Sequence, residues 1–288
     1  EVLCDKTMLK KINTILKKIK KPSTKADILE ILKEKCDEME IEYFTSPYDF
    51  DSVDHVDSYV QAYKIGSGDV TWHNIIRYIA KKGKPILIAT GASTLDEVKL
   101  AMGVLQEQTK DIILMQCNTN YTASLENFKY INLNVLKTYS ELYPDVLLGL
   151  SDHTHGHATV LGSISLGARI FEKHFTDDNK RDGPDHKFAM NPKTWREMVD
   201  RANEVYQSLG DGLKIIEKNE KQTAVVQRRG LRFTKNLPEG HCIEENDLFP
   251  LRPLNEDGFP PYEIVNIVGR RLLRNVKIDD YIKKEDIK

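Results

Sequence analysis

Six short apolar runs alternate with helix-length segments between residue 41 and about residue 210. Most of the runs are apolar at successive positions and end in small or polar residues, as strands covered on both faces of a parallel sheet do. Between them, "TLDEVKLAMGVLQEQ" places Thr94 and Glu97 at the spacing of a helix capping box. Repeated βα units of this length predict a (β/α) barrel or an open doubly wound sheet. The runs are "IEYFTSP" (41–47), "AYKIGSG" (62–68), "PILIATG" (85–91), "DIILMQC" (111–117), "VLLGLSD" (146–152) and "ARIFEKHF" (168–175).

The pattern changes on both sides of this region. Residues 6–21 place apolar positions at helical spacing among seven lysines, which predicts an amphipathic helix with a solvated lysine face. The charged stretch 211–222 predicts a linker, and residues 223–288 hold short β-like pieces and turn signals without a long helix. We therefore predict a (β/α) domain over residues 1–210 and a small, mostly β domain over residues 223–288.

Polar side chains collect where the predicted strands end. Because the carboxyl ends of parallel strands meet at one edge of a sheet or barrel, we expect these side chains to converge. Hydroxyl groups, glycine-rich turns and a lysine suit a phosphate or carboxylate ligand, and histidines beside carboxylates suit a divalent metal. The set comprises Thr45 and Ser46, Lys64 and Ser67, Thr90 and Ser93, residues 117–119, residues 151–153, and Glu172 with His174.

Lys64 lies between Tyr63 and Ile65 on a strand that the pattern buries on both faces. An unpaired ammonium group in such a position is strongly unfavourable. The sequence therefore predicts an anionic partner for Lys64.

Five of the eight histidines fall between residues 153 and 186. Alone, His153 could be a hydrogen-bonded core histidine, but His153 and His174 each follow one of two consecutive strands, so we predict that they share a divalent metal. Mn²⁺, Mg²⁺ and Zn²⁺ all suit such a pair. Glu172 precedes His174 by two positions and should face the same side of its strand. His155 and His157 are predicted to be loop or helix-cap residues.

Bulk composition narrows the classes of partner. With 42 basic and 44 acidic residues the net charge is −2, so no overall field favours nucleic acid. Four separated cysteines without a CxxC pair indicate neither a zinc site nor a disulfide framework and fit a reducing cytoplasm. No apolar stretch reaches the roughly 18 residues of a membrane span.

Several motifs resemble one known family. "AYKIGSGD", "KPILIATGAST", "GLSDHT", "EKHFTDDNKRDGPDHKF" and "LFPLRP" are similar to those of the sialic acid synthases, the phosphoenolpyruvate-dependent nonulosonate synthases. The resemblance runs from about residue 40 to the end of the chain. It implies a TIM-type (β/α) barrel, with six of its eight strands recognisable here, followed by a small, mostly β SAF (antifreeze-like) domain.

The resemblance also implies a reaction. Phosphoenolpyruvate would condense with the open-chain aldehyde of an N-acetylated amino sugar, either N-acetylmannosamine or a related 6-deoxy diamino sugar, and release phosphate for glycan or surface polysaccharide biosynthesis. A divalent metal, Mn²⁺ or else Mg²⁺, would polarise the aldehyde oxygen.

Site residues follow from the same resemblance. His153 and His174 would hold the metal and, with Glu172, form the catalytic set. Arg252 of "PLRP" would reach the N-acyl group in the partner's barrel of a domain-swapped homodimer, so a monomer should be inactive. His186 and most charges of the 176–187 loop are interpreted as loop solvation. Phosphoenolpyruvate would be bound by Thr45, Lys64, Ser67 and Ser151, and the sugar would contact Tyr121, Glu172 and Asp185. Thr119 is also predicted to bind substrate.

Three departures separate this chain from the family pattern. Ala89 replaces a phosphate-contacting serine of some members, and "CNTN" (117–120) has Asn118 and Thr119 where others have Thr and then Asn. The family's "EIGxNHxG" and "KFQ" motifs, which contribute two further βα units, do not occur in this sequence. We expect that the sequence is an N-terminally truncated piece of a longer synthase.

Two other functions compete with this prediction. A barrel that condenses phosphoenolpyruvate with a phosphorylated sugar would need a further basic cluster, whereas the "DNKRDGPDHK" loop is mixed in charge. A catalytically incompetent remnant that binds sugar would explain the two missing motifs.

Overall fold

The computed structural model describes residues 25–288. It divides them into two compact units, with the boundary between Gly210 and Asp211. The amphipathic helix predicted over residues 6–21 lies outside the described residues. None of the described helices is long and apolar enough to cross a membrane.

The first unit alternates helices and strands along the chain. The elements in order are α1 (Lys25–Glu38), α2 (Phe50–Val56), β1 (Tyr63–Ile65), α3 (His73–Ala80), β2 (Ile86–Ala89), α4 (Leu95–Gln106), β3 (Ile112–Cys117), α5 (Val135–Leu142), β4 (Leu147–Asp152), α6 (Ala158–Ser165), β5 (Ala168–Lys173) and α7 (Pro192–Ser208). Short 3₁₀ turns follow β1 at Ser67–Asp69 and β3 at Leu125–Tyr130.

The five strands form one parallel sheet in the order β1-β2-β3-β4-β5. The predicted α/β class with a parallel sheet is therefore confirmed, and β5 does not pair with β1 among the described residues. The first of the six predicted strands is wrong, because residues 41–47 contribute only an isolated parallel bridge between Thr45 and Tyr63. This segment lies beyond β1, and most of its residues are half-buried or exposed rather than covered on both faces.

Alternate side chains of the strands enter two different cores. Tyr63, Ile86 and Leu114 belong to the large core beneath the helices. Leu87 and Met115, one position away along their strands, pack in a smaller cluster on the opposite face. This period of two means that every second residue at a strand end points away from the helices.

Helix α4 shows why sequence signals place the elements well in this unit. The Thr94 hydroxyl accepts from the Glu97 backbone N–H at 3.3 Å, and the Glu97 carboxylate accepts from the Thr94 N–H at 2.7 Å. The predicted capping box is therefore confirmed.

The second unit is built from shorter pieces. It contains α8 (Lys221–Gln227), an antiparallel pair of β6 (Gly230–Phe233) and β7 (Leu248–Leu251), and 3₁₀ turns at Lys218–Glu220, Glu245–Asp247, Pro261–Asn266 and Lys284–Asp286. Isolated antiparallel bridges such as Leu237–Val276 and Cys242–Arg271 join the remaining extended segments around an apolar core. The stretch predicted to be a linker, 211–222, includes the first 3₁₀ turn and the start of α8.

Candidate functional site

The face of the sheet that points away from the helices carries polar groups at its carboxyl edge. Cys117 of β3 is in register with Ser151 of β4, and Ser151 is in register with Glu172 of β5. His153 and His174 continue the same alternation one step beyond β4 and β5. The strands therefore bring together residues that are more than fifty positions apart in sequence.

Lys64 of β1 forms an ion pair with Glu172 of β5 across this face. The two residues lie on the first and last strands of the sheet, so the sheet curls until its edges approach each other. The Lys64 side chain is 8% exposed and that of Glu172 is 48% exposed. The anionic partner predicted for the buried ammonium is thus a carboxylate of the chain, and that carboxylate is accessible from solvent.

His153 and His174 lie beside each other, with ring centroids 5.1 Å apart. The Nδ1 of His153 is 2.9 Å from the Asn118 carbonyl oxygen, which can only accept, so Nδ1 carries the hydrogen and the Nε2 lone pair is free. Burial and the neighbouring His174 lower the pKa of His153, which favours the neutral imidazole. A neutral imidazole with a free nitrogen is the form that binds a metal.

Aromatic and acidic side chains surround the histidine pair. The Tyr121 ring centroid lies 4.3 Å from that of His153 and 5.8 Å from that of His174, and Phe188 packs against His174 at 5.2 Å. Asp185 places Oδ2 3.4 Å from the His174 Nδ1. Tyr121, Asp185 and both predicted metal ligands are therefore neighbours.

The donor set fits a metal that is only partly enclosed by protein. Within residues 25–288, no three His, Cys, Asp or Glu side chains are arranged to hold a metal together. Two imidazoles would leave most coordination positions to water or a substrate oxygen, as in metal sites that bind a substrate directly.

Ser67 and Thr119 meet at Gly91, in the turn after β2. The Ser67 hydroxyl accepts from the Gly91 N–H at 2.9 Å. A Cβ at Gly91 would lie 2.5 Å from Thr119 Cγ2, 3.0 Å from Ser67 Oγ and 3.1 Å from Cys117 Sγ, so only glycine allows this approach. Burial raises the pKa of the Cys117 thiol, which disfavours a thiolate nucleophile there. Thr45 stands further out, where its carbonyl accepts from the Lys64 N–H at 3.3 Å.

The loop between β5 and α7 is held by its own hydrogen bonds. His186 Nδ1 is 2.7 Å from the Thr176 hydroxyl, and the Asn179 amide donates to the His186 and Ala189 carbonyls at 2.8 Å each. The interpretation of His186 as loop solvation is therefore wrong, because its ring is half-buried and fixes the loop that carries Asp185.

The other two histidines of the cluster lie apart from the metal pair. His155 donates through Nε2 to the Ala123 carbonyl at 2.8 Å, and His157 occupies the N-cap position of α6. Both positions agree with the prediction of loop and cap roles.

Sequence reasoning missed a buried ion pair directly behind the histidines. Lys173 and Asp152 point to the side opposite Glu172 and His174, and their charged atoms are 2.5 Å apart with side chains that are 1% and 0% exposed. Strand alternation could have predicted this pair. Because Glu172 and His174 face the site, Lys173 between them must point to the covered side of the strand, where an ammonium group needs a partner. Both residues immediately precede a predicted metal ligand in sequence.

Arg252 belongs to the second unit. It is exposed, and its Nε donates to the Gln227 carbonyl at 2.7 Å. Its predicted contact with an N-acyl group stays a prediction.

Comparisons with known proteins agree with the two-unit organisation. Residues 4–214 match the NeuB family and residues 228–288 match the SAF domain. The chain is 31% identical to N,N'-diacetyllegionaminic acid synthase of Campylobacter jejuni, over 87% of this chain and 73% of that protein. It is 30% identical to human N-acetylneuraminate-9-phosphate synthase, over 78% of this chain and 62% of that protein. The crystal structure of the spore coat polysaccharide biosynthesis protein spsE from Bacillus subtilis superposes with a TM-score of 0.60 at 26% identity, covering 96% of this chain and 81% of that one.

Proposed function

The chain belongs to the NeuB family, and from this membership we propose that it condenses phosphoenolpyruvate with the aldehyde of an N-acetylated amino sugar to form a nonulosonate. C3 of phosphoenolpyruvate would form a bond to the aldehyde carbon, whose oxygen gains a proton. Water would add at C2 and the bond between C2 and the phosphate oxygen would break. One proton of that water goes to the former aldehyde oxygen and the other to the departing phosphate, so three reactants give two products, the nonulosonate and phosphate. The observation that carries the proposal is the convergence of Lys64, Glu172, His153 and His174 at one edge of the sheet.

Lys64 would bind the anionic substrate. Its ammonium is buried and cannot be left without a counter-charge, so Glu172 is its partner when no substrate is bound. Phosphoenolpyruvate carries a phosphate and a carboxylate, either of which can replace the Glu172 carboxylate on Lys64. This exchange would release Glu172, on the accessible side of the pair, to contact the sugar and to move a proton.

His153 and His174, whose ring centroids are 5.1 Å apart, would hold a divalent metal, Mn²⁺ or Mg²⁺. When bound, the metal would polarise the aldehyde oxygen. The Asn118 carbonyl would keep His153 in the tautomer that leaves Nε2 free, and Tyr121 would exclude water from one side of the pair.

The remaining predicted contacts follow the same arrangement. Ser67, Ser151 and Thr45 would bind phosphoenolpyruvate around Lys64, and Thr119 would lie between them and the sugar. Tyr121 and Asp185 would contact the sugar beside the histidines. Arg252 would reach its N-acyl group from the second unit of a partner in a cytoplasmic homodimer.

The test measures phosphate release by the product of the complete reading frame. Phosphoenolpyruvate and Mn²⁺ are supplied with N-acetylmannosamine, its 6-phosphate or a 2,4-diacetamido-2,4,6-trideoxy sugar, one at a time. We expect release with one of the two non-phosphorylated sugars, loss of release with a chelator, and recovery when Mn²⁺ is restored.

Two variants test whether the reaction depends on the candidate site. Glu172→Gln should lower the rate by about 10²–10⁴-fold, as loss of a positioned proton-transfer group does, and Glu107→Gln on the exposed end of α4 should not change it. The proposal fails if none of the three sugars supports release, or if Glu172→Gln retains the rate of Glu107→Gln.

A further inference from the structure

A polar cavity lies on the face of β3 opposite to the histidine pair. Gln116 and Asn118 are two positions apart and point to the helix side, opposite to Cys117. They line a cavity of about 520 Å³ between the turn after β2 and the start of α5. That volume falls within the range of about 300–1,000 Å³ typical of small-molecule sites.

Both amide side chains present an oxygen to this cavity. Gln116 Nε2 donates to the Ile131 carbonyl at 2.8 Å, and Asn118 Nδ2 donates to the Tyr130 carbonyl at 3.3 Å. Because a carbonyl only accepts, the orientation of each amide is determined by its partner. Neither amide oxygen accepts a hydrogen bond from the described residues, although Gln116 is only 7% exposed.

The chemistry of the lining restricts the ligand. Ser93, Thr138 and Tyr139 also line the wall, and none of the described residues that line the cavity is charged. The Ser93 hydroxyl already donates to the Gly91 carbonyl at 3.3 Å and the Tyr139 hydroxyl to Thr90 Oγ1 at 2.9 Å, so the oxygens of both remain available only as acceptors. A carboxylate or phosphate would lose its hydration there without gaining a cation. Two free acceptors and several hydroxyls instead match a neutral ligand that carries its own hydroxyl donors.

We propose that this cavity binds a neutral, hydroxylated small molecule of monosaccharide size, at a site separate from the histidine pair. Asn118 connects the two sites, since its side chain lines the cavity while its carbonyl accepts from His153. A ligand held by the Asn118 amide therefore contacts the residue that orients His153.

Equilibrium dialysis tests the proposal on the full chain. The probes are N-acetylmannosamine, which is neutral, and N-acetylneuraminate, which is anionic. Thr138→Trp fills the cavity from α5, and Lys137→Trp places the same side chain on the exposed face of that helix as a matched control. We expect one equivalent of N-acetylmannosamine that Thr138→Trp loses and that Lys137→Trp keeps.

Two further variants make the result independent of folding and of the proposed reaction. Thr138→Val removes only the hydroxyl and should weaken this equivalent by about 2–10-fold, the effect of one hydrogen bond. Tyr121→Ala changes the site beside the histidines and should leave the equivalent intact, so failure of the proposed synthase would not imitate failure here. Equal binding by Thr138→Trp and Lys137→Trp would overturn the proposal, as would N-acetylneuraminate occupying the Thr138-sensitive site with the same affinity.

Discussion

Replacing Lys173 by methionine should destabilise the first unit more than the loss of an exposed charged group would. Its ammonium donates to Asp152 Oδ2 at 2.5 Å and to the Thr154 carbonyl at 2.8 Å, and the Thr159 hydroxyl donates to the same carboxylate at 2.7 Å. Methionine keeps most of the length of the side chain but removes the ammonium group and its charge. The Asp152 carboxylate, 0% exposed, would then be buried without a cation.

Breaking a buried pair by removing one partner costs about 3–5 kcal/mol in the free energy of unfolding. The near-zero exposure of both side chains places this pair at the upper part of that range. With a urea slope of about 2 kcal/mol/M, a loss of about 4–5 kcal/mol should lower the unfolding midpoint by roughly 2–2.5 M. A total stability of about 5–15 kcal/mol makes this a large fraction of the whole.

The pH dependence of the difference has a defined sign. Burial raises the pKa of Asp152, but the charge and hydrogen bond of Lys173 and the two threonine hydroxyls lower it by more. In the wild type, this carboxylate therefore stabilises the fold above its unfolded pKa of about 3.9, and the contribution is lost as the pH falls through the lower folded pKa. Without Lys173 burial dominates and the folded pKa rises, so the deficit of the variant should be largest at neutral pH and narrow below about pH 4.

Urea unfolding followed by tryptophan fluorescence measures this effect in the first unit, because Trp72 and Trp195 both lie there. The control is Lys99→Met, which breaks the exposed Lys99–Asp96 pair and should cost no more than about 1 kcal/mol. A midpoint for Lys173→Met equal to that of Lys99→Met at pH 7 would refute the reasoning.

Three further predictions concern separate features. Gly91→Ala should cost about 1–3 kcal/mol by overpacking and raise the KM for phosphoenolpyruvate in the phosphate-release assay, whereas Gly103→Ala, with open space in mid-helix, should stabilise the fold by about 0.5–1 kcal/mol; equal unfolding midpoints would contradict this. Thr94→Ala should lower the unfolding free energy by about 0.5–2 kcal/mol without changing the turnover rate, and a large rate loss would show that the cap does more than start α4. Burial opposes ionisation of Asp247, yet hydrogen bonds and a lysine lower its pKa to about 2. The protection factors of amides in the second unit, which correct exchange for the intrinsic pH dependence, should therefore fall as the pH falls from about 4 to 2 in the wild type and change less in Asp247→Asn, and equal changes would contradict this.

Local pattern was sufficient for most of the first unit. The apolar runs from residue 62 onward became β1 to β5, and the capping box of Thr94 and Glu97 began α4 as predicted. The run at 41–47 failed because its apolar letters do not reveal whether a second strand lies on its outer side. A segment forms a strand only when it pairs with a neighbouring strand, and the sequence of one segment does not show whether that neighbour is present.

The sequence predicted which edge of the sheet carries the site and which types of residue line it. Strand alternation placed Glu172 and His174 on one side, and the positions of His153 and His174 after consecutive strands indicated a pair. That Lys64 needed an anion also followed from its burial. The identity of that anion, the Glu172 carboxylate, did not, because β1 and β5 are separated by three strands and meet only when the sheet curls.

Properties that depend on spacing along one strand or one helix were thus readable from the order of residues, because backbone geometry alone repeats every two or 3.6 positions. Properties that depend on two distant segments were not. The Lys173–Asp152 pair, the tautomer of His153 and the anchoring of His186 each arise from a contact whose partner is chosen by packing. Packing selects such partners because a buried charge or polar group must find one in whatever segment the fold brings beside it.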